Sequence, residues 1–107
     1  MIGIGKWDGK VKALMMTFEG TVEVRNNNGQ YAFHFELPER FKGVQIRTYD
    51  ITEDGNTLRG KAEVSLLPGK ELQAEVTFLG DTMEGRLIVP FMGNKEFKII
   101  DGHRIAD

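Results

Sequence analysis

The sequence predicts an all-β fold, a single-domain antiparallel up-and-down meander that closes into an eight-stranded barrel. Thirteen glycines and three prolines divide the 107 residues into short segments. The segments alternate apolar with polar residues, which is the periodicity of strands and not of helices. The connections are short, so successive strands are predicted to be antiparallel neighbours, and closure would remove both sheet edges. A flat two-sheet sandwich is the rival architecture.

In each predicted strand, the alternate apolar residues mark the inner face. In chain order these residues are Trp7, Gly9, Val11 and Ala13; Met16, Phe18, Gly20, Val22 and Val24; Tyr31, Phe33, Phe35 and Leu37; a fourth strand over 44–52; Leu58, Gly60, Ala62, Val64 and Leu66; Leu72, Ala74, Val76 and Phe78; Met83, Gly85, Leu87 and Val89; and Phe97 and Ile99. Turns are predicted at 26–29, 53–56, 68–69, 80–81 and 92–94. The polar tail after residue 100 is predicted to fray.

Length and composition limit the classes of function. The chain is long enough for one hydrophobic core, so residues 1–107 are predicted to form one domain. A net charge of −2 with scattered cations predicts no nucleic-acid partner. The sequence contains neither a transmembrane stretch nor a signal-peptide core, which predicts no membrane span and leaves the localisation unknown. The absence of cysteine excludes disulfides and thiolate nucleophiles.

Turn symmetry predicts the register of two strand pairs. A symmetric Asn-rich turn places Gly20 opposite Phe35, and a turn centred on the Pro-Gly pair places Gly60 opposite Phe78. An aromatic ring over a cross-strand glycine is typical of a strongly coiled sheet. The inward glycines are therefore interpreted as sources of curvature. Alternatively, they leave room for one small molecule, which an eight-stranded barrel can hold.

The fourth strand has apolar residues on both faces. Ile46 lies on one face, whereas Arg47, Tyr49 and Ile51 alternate on the other. A bulge near Thr48 would place the apolar residues of both faces inside, and it is favoured because burying an unpaired guanidinium is costly. The alternative is an inward Arg47 beside Tyr49, which would suit a carboxylate-bearing apolar ligand.

Gly5-Lys6-Trp7 opens the first predicted strand and resembles the Gly-x-Trp signature of lipocalin-like (calycin-type) barrels. The segments 54–58 and 80–85, Asp-Gly-Asn-Thr-Leu and Gly-Asp-Thr-Met-Glu-Gly, resemble small lipocalin-like bacterial modules that also occur appended to hydrolases. The chain is shorter than a full lipocalin and lacks the C-terminal helix and disulfide. The resemblance implies a barrel that binds a small apolar molecule, or an accessory domain of undefined role, with no catalytic residues.

The same resemblance implies a contact between the two ends of the chain. In lipocalin-like barrels an arginine near the end of the last strand typically covers the signature tryptophan, and Arg104 is the only arginine after Arg86. The first and last strands would then pair, with the guanidinium over the Trp7 indole. Such a cation-π contact contributes about 0.5 to 2 kcal/mol. The alternative is that Arg104 belongs to a frayed tail and Trp7 is simply part of the core.

The predicted interior contains almost no converging polar groups, which predicts a protein that is not an enzyme and has no cofactor or metal site. His34 is predicted on the outer face and His103 in the tail. The leading hypothesis is a binding module whose apolar interior accepts a small hydrophobic or carboxylate-bearing molecule. Its candidate ligand-binding residues are Trp7, Phe18, Phe33, Phe35, Arg47, Tyr49 and Phe78.

The alternative hypothesis is a dry-cored accessory or protein-interaction domain that acts through its outer surface. Phe41 in the one long connection and the outward Ile88 and Ile100 are its candidate features. Phe41 is also predicted to fold over one barrel mouth. An enzyme would need Arg47 or Tyr49 as its polar group. The sequence determines neither the ligand nor the oligomeric state.

Overall fold

The computed structural model describes residues 1–13, 16–90 and 93–107. The alternating segments form eight strands. They are β1 (Gly5–Ala13), β2 (Met16–Asn27), β3 (Gln30–Glu36), β4 (Ile46–Asp54), β5 (Thr57–Val64), β6 (Leu72–Leu79), β7 (Thr82–Pro90) and β8 (Asn94–Ala106). A short 3-10 helix, Glu39–Phe41, lies between β3 and β4. In these three ranges no helix has the length and hydrophobicity that a membrane crossing requires.

The strands form one antiparallel sheet in the order β3-β2-β1-β8-β7-β6-β5-β4. The prediction of an up-and-down barrel is confirmed, because β1 pairs with β8 and brings the two ends of the meander together. The barrel is nearly closed. Its edge strands β3 and β4 lie side by side without a hydrogen-bonded register and leave a seam. The long connection 37–45 crosses this seam, and it is too long to hold the register of a hairpin.

The hairpin of β2 and β3 has a tighter turn than predicted. Its two central residues, at 28–29, both have positive φ angles of 54° and 87°, as expected for a two-residue hairpin turn. Val22 therefore lies opposite Phe35, and Gly20 lies opposite Gly9 of β1. The predicted pairing of Gly20 with Phe35 is wrong by two residues, because β2 extends into the asparagine-rich segment and moves the centre of the turn to 28–29.

The predicted pairing of Gly60 with Phe78 is also wrong. Gly60 lies opposite Ala74. The connection between β5 and β6 spans 65–71 and contains two successive turns, in which the amides at 67 and 70 donate to the carbonyls at 64 and 67. The Pro-Gly pair is therefore not the centre of the hairpin, and the register shifts accordingly.

β4 contains the predicted bulge, two residues beyond the expected position. Asp50 has a positive φ of 52°, and the register against β5 shifts by one residue around it. Because of this extra residue, Ile46 before the bulge and Ile51 after it both lie on the inner face. The same geometry leaves Arg47 and Tyr49 on the outer face.

The chain does not fray after residue 100, so that prediction is wrong. β8 is a strand of 13 residues that continues to Ala106. Asp101, with a φ of 54°, marks an irregularity where the registers with β1 and β7 both shift. Beyond it, Arg104 lies opposite Trp7. Pairing on both sides, and not local hydropathy, keeps this polar segment ordered.

The core lies at one end of the barrel, which we call the closed end. This end carries the turns from β2 to β3, from β4 to β5 and from β6 to β7. The opposite end, which we call the open end, carries the connections 37–45 and 65–71. The buried core residues are Trp7, Val24, Leu58, Phe78 and Met83. Full burial of one such side chain contributes about 1.5 to 3 kcal/mol.

Candidate binding site

Trp7 seals the closed end. Its side chain is 0% exposed, the lowest value in the core. The indole packs against the Phe78 ring at a centroid distance of 4.9 Å, and its Nε1 donates a 2.9 Å hydrogen bond to the carbonyl of Gly3. The indole ring therefore packs against an apolar neighbour, and its one polar atom has a hydrogen-bond partner, as a buried tryptophan requires.

Arg104 covers the indole. Its Cζ lies 4.3 Å from the centroid of the Trp7 ring, which confirms the predicted cation-π contact and excludes the frayed-tail alternative. The guanidinium also donates to the Ile4 carbonyl at 2.7 Å and to the Asp81 carboxylate at 3.1 Å. One side chain thereby joins β8, the chain start and the β6–β7 turn.

The residues before β1 complete this closure. Ile2 packs against the buried core, and its backbone amide donates to the Tyr31 hydroxyl at 2.7 Å. The hydroxyl in turn donates to the Glu53 carboxylate, on the other side of the seam. Burial, followed by the hydrogen bond to Glu53, raises the pKa of Tyr31 above its ordinary value. The hydroxyl therefore joins the two edge strands at the closed end.

The open half of the barrel is packed differently. Apart from Leu72, its inward-facing apolar residues remain half-buried. They are Val11, Phe18, Phe35, Ile46, Val64, Leu87, Val89 and Phe97. Leu72 is an exception, with 9% exposure. Side chains that fill an interior at crystalline density exclude solvent. These side chains therefore line space that solvent can reach.

Phe41 lies over one side of the open end. Its ring is half-buried and lies 5.2 Å from the inward ring of Phe18, which confirms the prediction that it folds over a barrel mouth. Arg40 also lies against the Phe41 ring, with its Cζ 4.9 Å from the centroid. Arg40 also donates to the carbonyl of Thr17 at 3.2 Å. The connection 37–45 is thus attached to β2 across the seam.

The structure excludes the alternative of an inward Arg47 beside Tyr49, so the prediction that these two residues bind a ligand in the interior is wrong. The Arg47 side chain is 64% exposed and forms a 2.9 Å ion pair with Glu63. Its Cζ lies 4.6 Å from the centroid of the Tyr49 ring, and the Tyr49 hydroxyl donates to Glu71 at 3.0 Å. The bulge in β4 is the physical reason, because it brings Ile51 inside and leaves this polar cluster on the outer face.

Two shallow grooves lie on the outer face. One, of about 380 Å³, crosses the glycine pair of β1 and β2 and includes Lys10 and Glu19. The other, of about 390 Å³, crosses β5 and β6 and includes Arg59 and Glu75. Their charged side chains pair with each other, as in Lys10–Glu19 at 4.0 Å and Arg59–Glu75 at 3.0 Å. Because these cations are already paired with carboxylates, they are poorly placed to bind an anionic ligand.

His34 and His103 are both exposed. An Nδ1 contact of 2.9 Å joins His103 to the Asp101 carbonyl. In the part of the chain that the structure describes, no three His, Cys, Asp or Glu side chains are grouped so that they could hold a metal ion.

The predicted ligand-binding residues fall into three places. Phe18 and Phe35 both lie in the open half, although Phe35 is opposite Val22 and not opposite Phe18. Phe33 packs against the core and lies 6.4 Å from the Phe35 ring. Trp7 and Phe78 belong to the closed end, and Arg47 and Tyr49 lie outside. Sequence reasoning did not select the remaining half-buried inward residues of the open half, such as Leu87 and Phe97. Their alternation and position near the open ends of their strands were the available signal.

No family model, curated protein or solved structure matches the chain. The eight-stranded, nearly closed antiparallel barrel is compatible with a lipocalin-like fold.

Proposed function

We propose that this protein binds a small apolar molecule in the open half of its barrel and carries out no reaction on it. One observation carries the proposal: the buried inward-facing apolar side chains, except Leu72, all lie in the closed half, where they pack with half-buried neighbours such as Ile51 and Val76. The other inward-facing apolar side chains of the open half remain half-buried. Apolar surface that is concave and accessible is the usual lining of a small-molecule site. The lipocalin-like resemblance of Gly5-Lys6-Trp7 and the cover provided by Arg104 support the same function.

The proposed site has a floor, a wall and a partial cover. The Trp7–Phe78 pair of the closed end forms the floor and keeps the ligand out of the core. Phe18, Phe35 and Phe97 belong to the wall, and Phe41 covers one side. Rings of this kind bind aliphatic or aromatic surface without demanding a particular polar pattern. The proposed ligand is therefore defined by its size and hydrophobicity.

A carboxylate on the ligand would pair with a cation at the open end of the barrel and not with Arg47. Lys95 has the same strand parity as Phe97, two residues away on β8, and it is exposed at the open end. A ligand with its apolar part inside would place an acidic head group near this ammonium group. We expect dodecanoic acid to bind more tightly than dodecanol, and Lys95→Gln to reduce that preference.

The test is titration of the full chain with N-phenyl-1-naphthylamine, a neutral dye whose fluorescence rises in apolar surroundings. Gly20→Leu should block the site. A Cβ at Gly20 makes only ordinary contacts of 3.6 Å with the Glu36 carbonyl and the Leu37 side chain, so the larger side chain should extend into open space. We expect dye binding to weaken by about tenfold or more, equivalent to about 1.4 kcal/mol.

Glu19→Leu is the matched control, because it adds the same side chain one residue away on the outer face. It should leave dye binding unchanged. Saturable binding by the parent, lost in Gly20→Leu and kept in Glu19→Leu, would support the proposal. A folded parent that binds neither the dye nor dodecanoic acid, or a Gly20→Leu protein that binds as well as the parent, would overturn it.

A further inference from the structure

The cations of this chain are unevenly paired. Most lysines and arginines have a carboxylate within 4.0 Å. Within residues 1–13, 16–90 and 93–107, those that have none are Lys12, Arg40, Lys70, Lys95 and Lys98. All of them except Lys98 lie at the open end, either near the end of a strand or in one of the connections there.

The carboxylates show the opposite distribution. Those without a cation within 4.0 Å, among the described residues, are Asp8, Glu53 and Glu84. All three lie on the closed half of their strands. Among the described groups without an ionic partner, the open end therefore carries only cations and the closed half carries all the carboxylates, although the net charge of the chain is −2. On this basis we call the open end the positive end.

The positive end also exposes large apolar side chains. Leu66, in the connection from β5 to β6, is 63% exposed, the highest value among the exposed large hydrophobic residues, and Met16 at the start of β2 is 48% exposed. Leu67 and Phe41 beside them are half-buried. The closed end also exposes large apolar side chains, at Met1, Ile4, Leu79 and Ile105. The unpaired lysines and arginine, and not the exposed apolar side chains alone, therefore distinguish the open end.

We propose that the open end docks on the surface of an anionic lipid bilayer. Exposed apolar side chains at the same end as unpaired lysines have the composition of an interfacial attachment, in which the apolar groups enter the head-group region and the cations contact anionic lipids. The charge complementarity selects a bilayer over a second copy of this chain, because two copies facing through this end would oppose their unpaired cations. The docking does not depend on whether the barrel interior holds a ligand.

The experiment is co-sedimentation of the full chain with vesicles of pure phosphatidylcholine and with vesicles of equal parts phosphatidylcholine and phosphatidylglycerol. We expect binding to the anionic vesicles only, weakened by added salt. Lys12→Gln and Lys70→Gln should each lower the partition coefficient by about fivefold, since one cation near an anionic surface contributes about 1 kcal/mol. Leu66→Gln should lower it further by removing the exposed apolar group.

Two variants serve as matched controls. Lys98→Gln removes an unpaired cation from the barrel wall, and Leu79→Gln removes a leucine of similar exposure from the closed end. Both should bind as the parent does. Equal losses in the controls, equal binding to both vesicle types, or no binding at all would overturn the proposal. So would concentration-dependent self-association that Leu66→Gln abolishes, because the face would then bind a second copy.

Discussion

The two ends of this barrel differ in how they are closed. At the closed end, three short turns rich in glycine, asparagine and aspartate keep the strands paired to their tips, and the chain start packs against the core. At the open end, the connections 37–45 and 65–71 carry apolar residues that remain exposed or half-buried. The difference indicates that the stability of the fold is concentrated at one end, which leaves the other end available for binding.

Local chemistry accounts for the contrast. Residues that adopt positive φ form two-residue turns without strain and keep a hairpin in register. Gly55 and Gly80 at the closed end have φ angles of 60° and 68°. The connection 37–45 contains no such two-residue turn, and β3 and β4, which it joins, do not pair. Substitutions at equivalent positions of the two ends therefore test this interpretation.

The largest difference is expected between two phenylalanines. Phe78 is 8% exposed and packs on Trp7, whereas Phe35 is half-buried in the open half. Phe78→Ala should cost about 3 to 5 kcal/mol of unfolding free energy. Phe35→Ala should cost clearly less, because part of its ring is already in contact with solvent. Urea unfolding followed by circular dichroism measures both.

Equal losses at the two positions would show that the open half is packed as tightly as the closed half. If Phe78→Ala does not fold, the pair Phe78→Leu and Phe35→Leu makes the same comparison with a smaller cavity. The ranking of the two positions should be unchanged.

Two inward glycines provide the next comparison. A Cβ at Gly102 would lie 2.5 Å from both the carbonyl oxygen and the Cγ of Met83, whereas a Cβ at Gly20 meets nothing closer than 3.6 Å. Gly102→Ala should therefore cost about 1 to 3 kcal/mol through overpacking. Gly20→Ala should be neutral or stabilising by up to about 1 kcal/mol, because alanine reduces the freedom of the unfolded chain. Thermal unfolding of the two variants would contradict this if both melted at the same temperature.

The sequence predicted the architecture better than it predicted the strand register. Alternation and short connections were enough to predict the barrel and the inner face of most strands. The bulge in β4 was inferred because both faces of one strand were apolar. The two predicted glycine–aromatic pairings failed because register depends on where a turn is centred, and neither the Asn-rich segment nor the Pro-Gly pair determines that centre by composition.

The candidate site was less predictable than the fold. Whether an inward phenylalanine fills the core or lines an accessible space depends on the packing around it, which alternation does not report. Phe78 and Phe18 have the same pattern in the sequence and different surroundings in the structure. The order of the β8 segment after residue 100 was missed for a related reason, since a polar strand is stabilised by neighbours that lie far away in sequence.

Arg104 allows a test of the closed end alone. Arg104→Ala removes the cation from the face of Trp7 and leaves the Ile4 carbonyl without its donor. We expect a loss of about 0.5 to 2 kcal/mol from the cation-π contact and a red shift of Trp7 emission as water reaches the indole. Arg104→Lys should retain part of the stability. Unchanged emission and unchanged stability in Arg104→Ala would mean that this side chain does not seal the closed end.

The smallest effect is expected at the seam, from the removal of the Tyr31 hydroxyl. Tyr31→Phe deletes the acceptor of the Ile2 amide and the donor to Glu53. The expected cost near neutral pH is about 0.5 to 1.5 kcal/mol. Tyr49→Phe is the matched control, because its hydroxyl donates to Glu71 on the outer face, away from the seam. It should cost less, since no backbone amide loses its partner.

The pH dependence of the Tyr31→Phe effect has a defined sign. Burial and the hydrogen bond to Glu53 raise the pKa of Tyr31 above its ordinary value of 10.0, so the folded chain keeps a proton that the unfolded chain releases. The stability that depends on this proton is fully present below pH 10 and is lost as the pH rises through the pKa of the folded state. The difference in unfolding free energy between the parent and Tyr31→Phe should therefore narrow above about pH 10. A difference that stays constant from neutral pH to about pH 11 would show that the hydroxyl does not join the two edges of the seam.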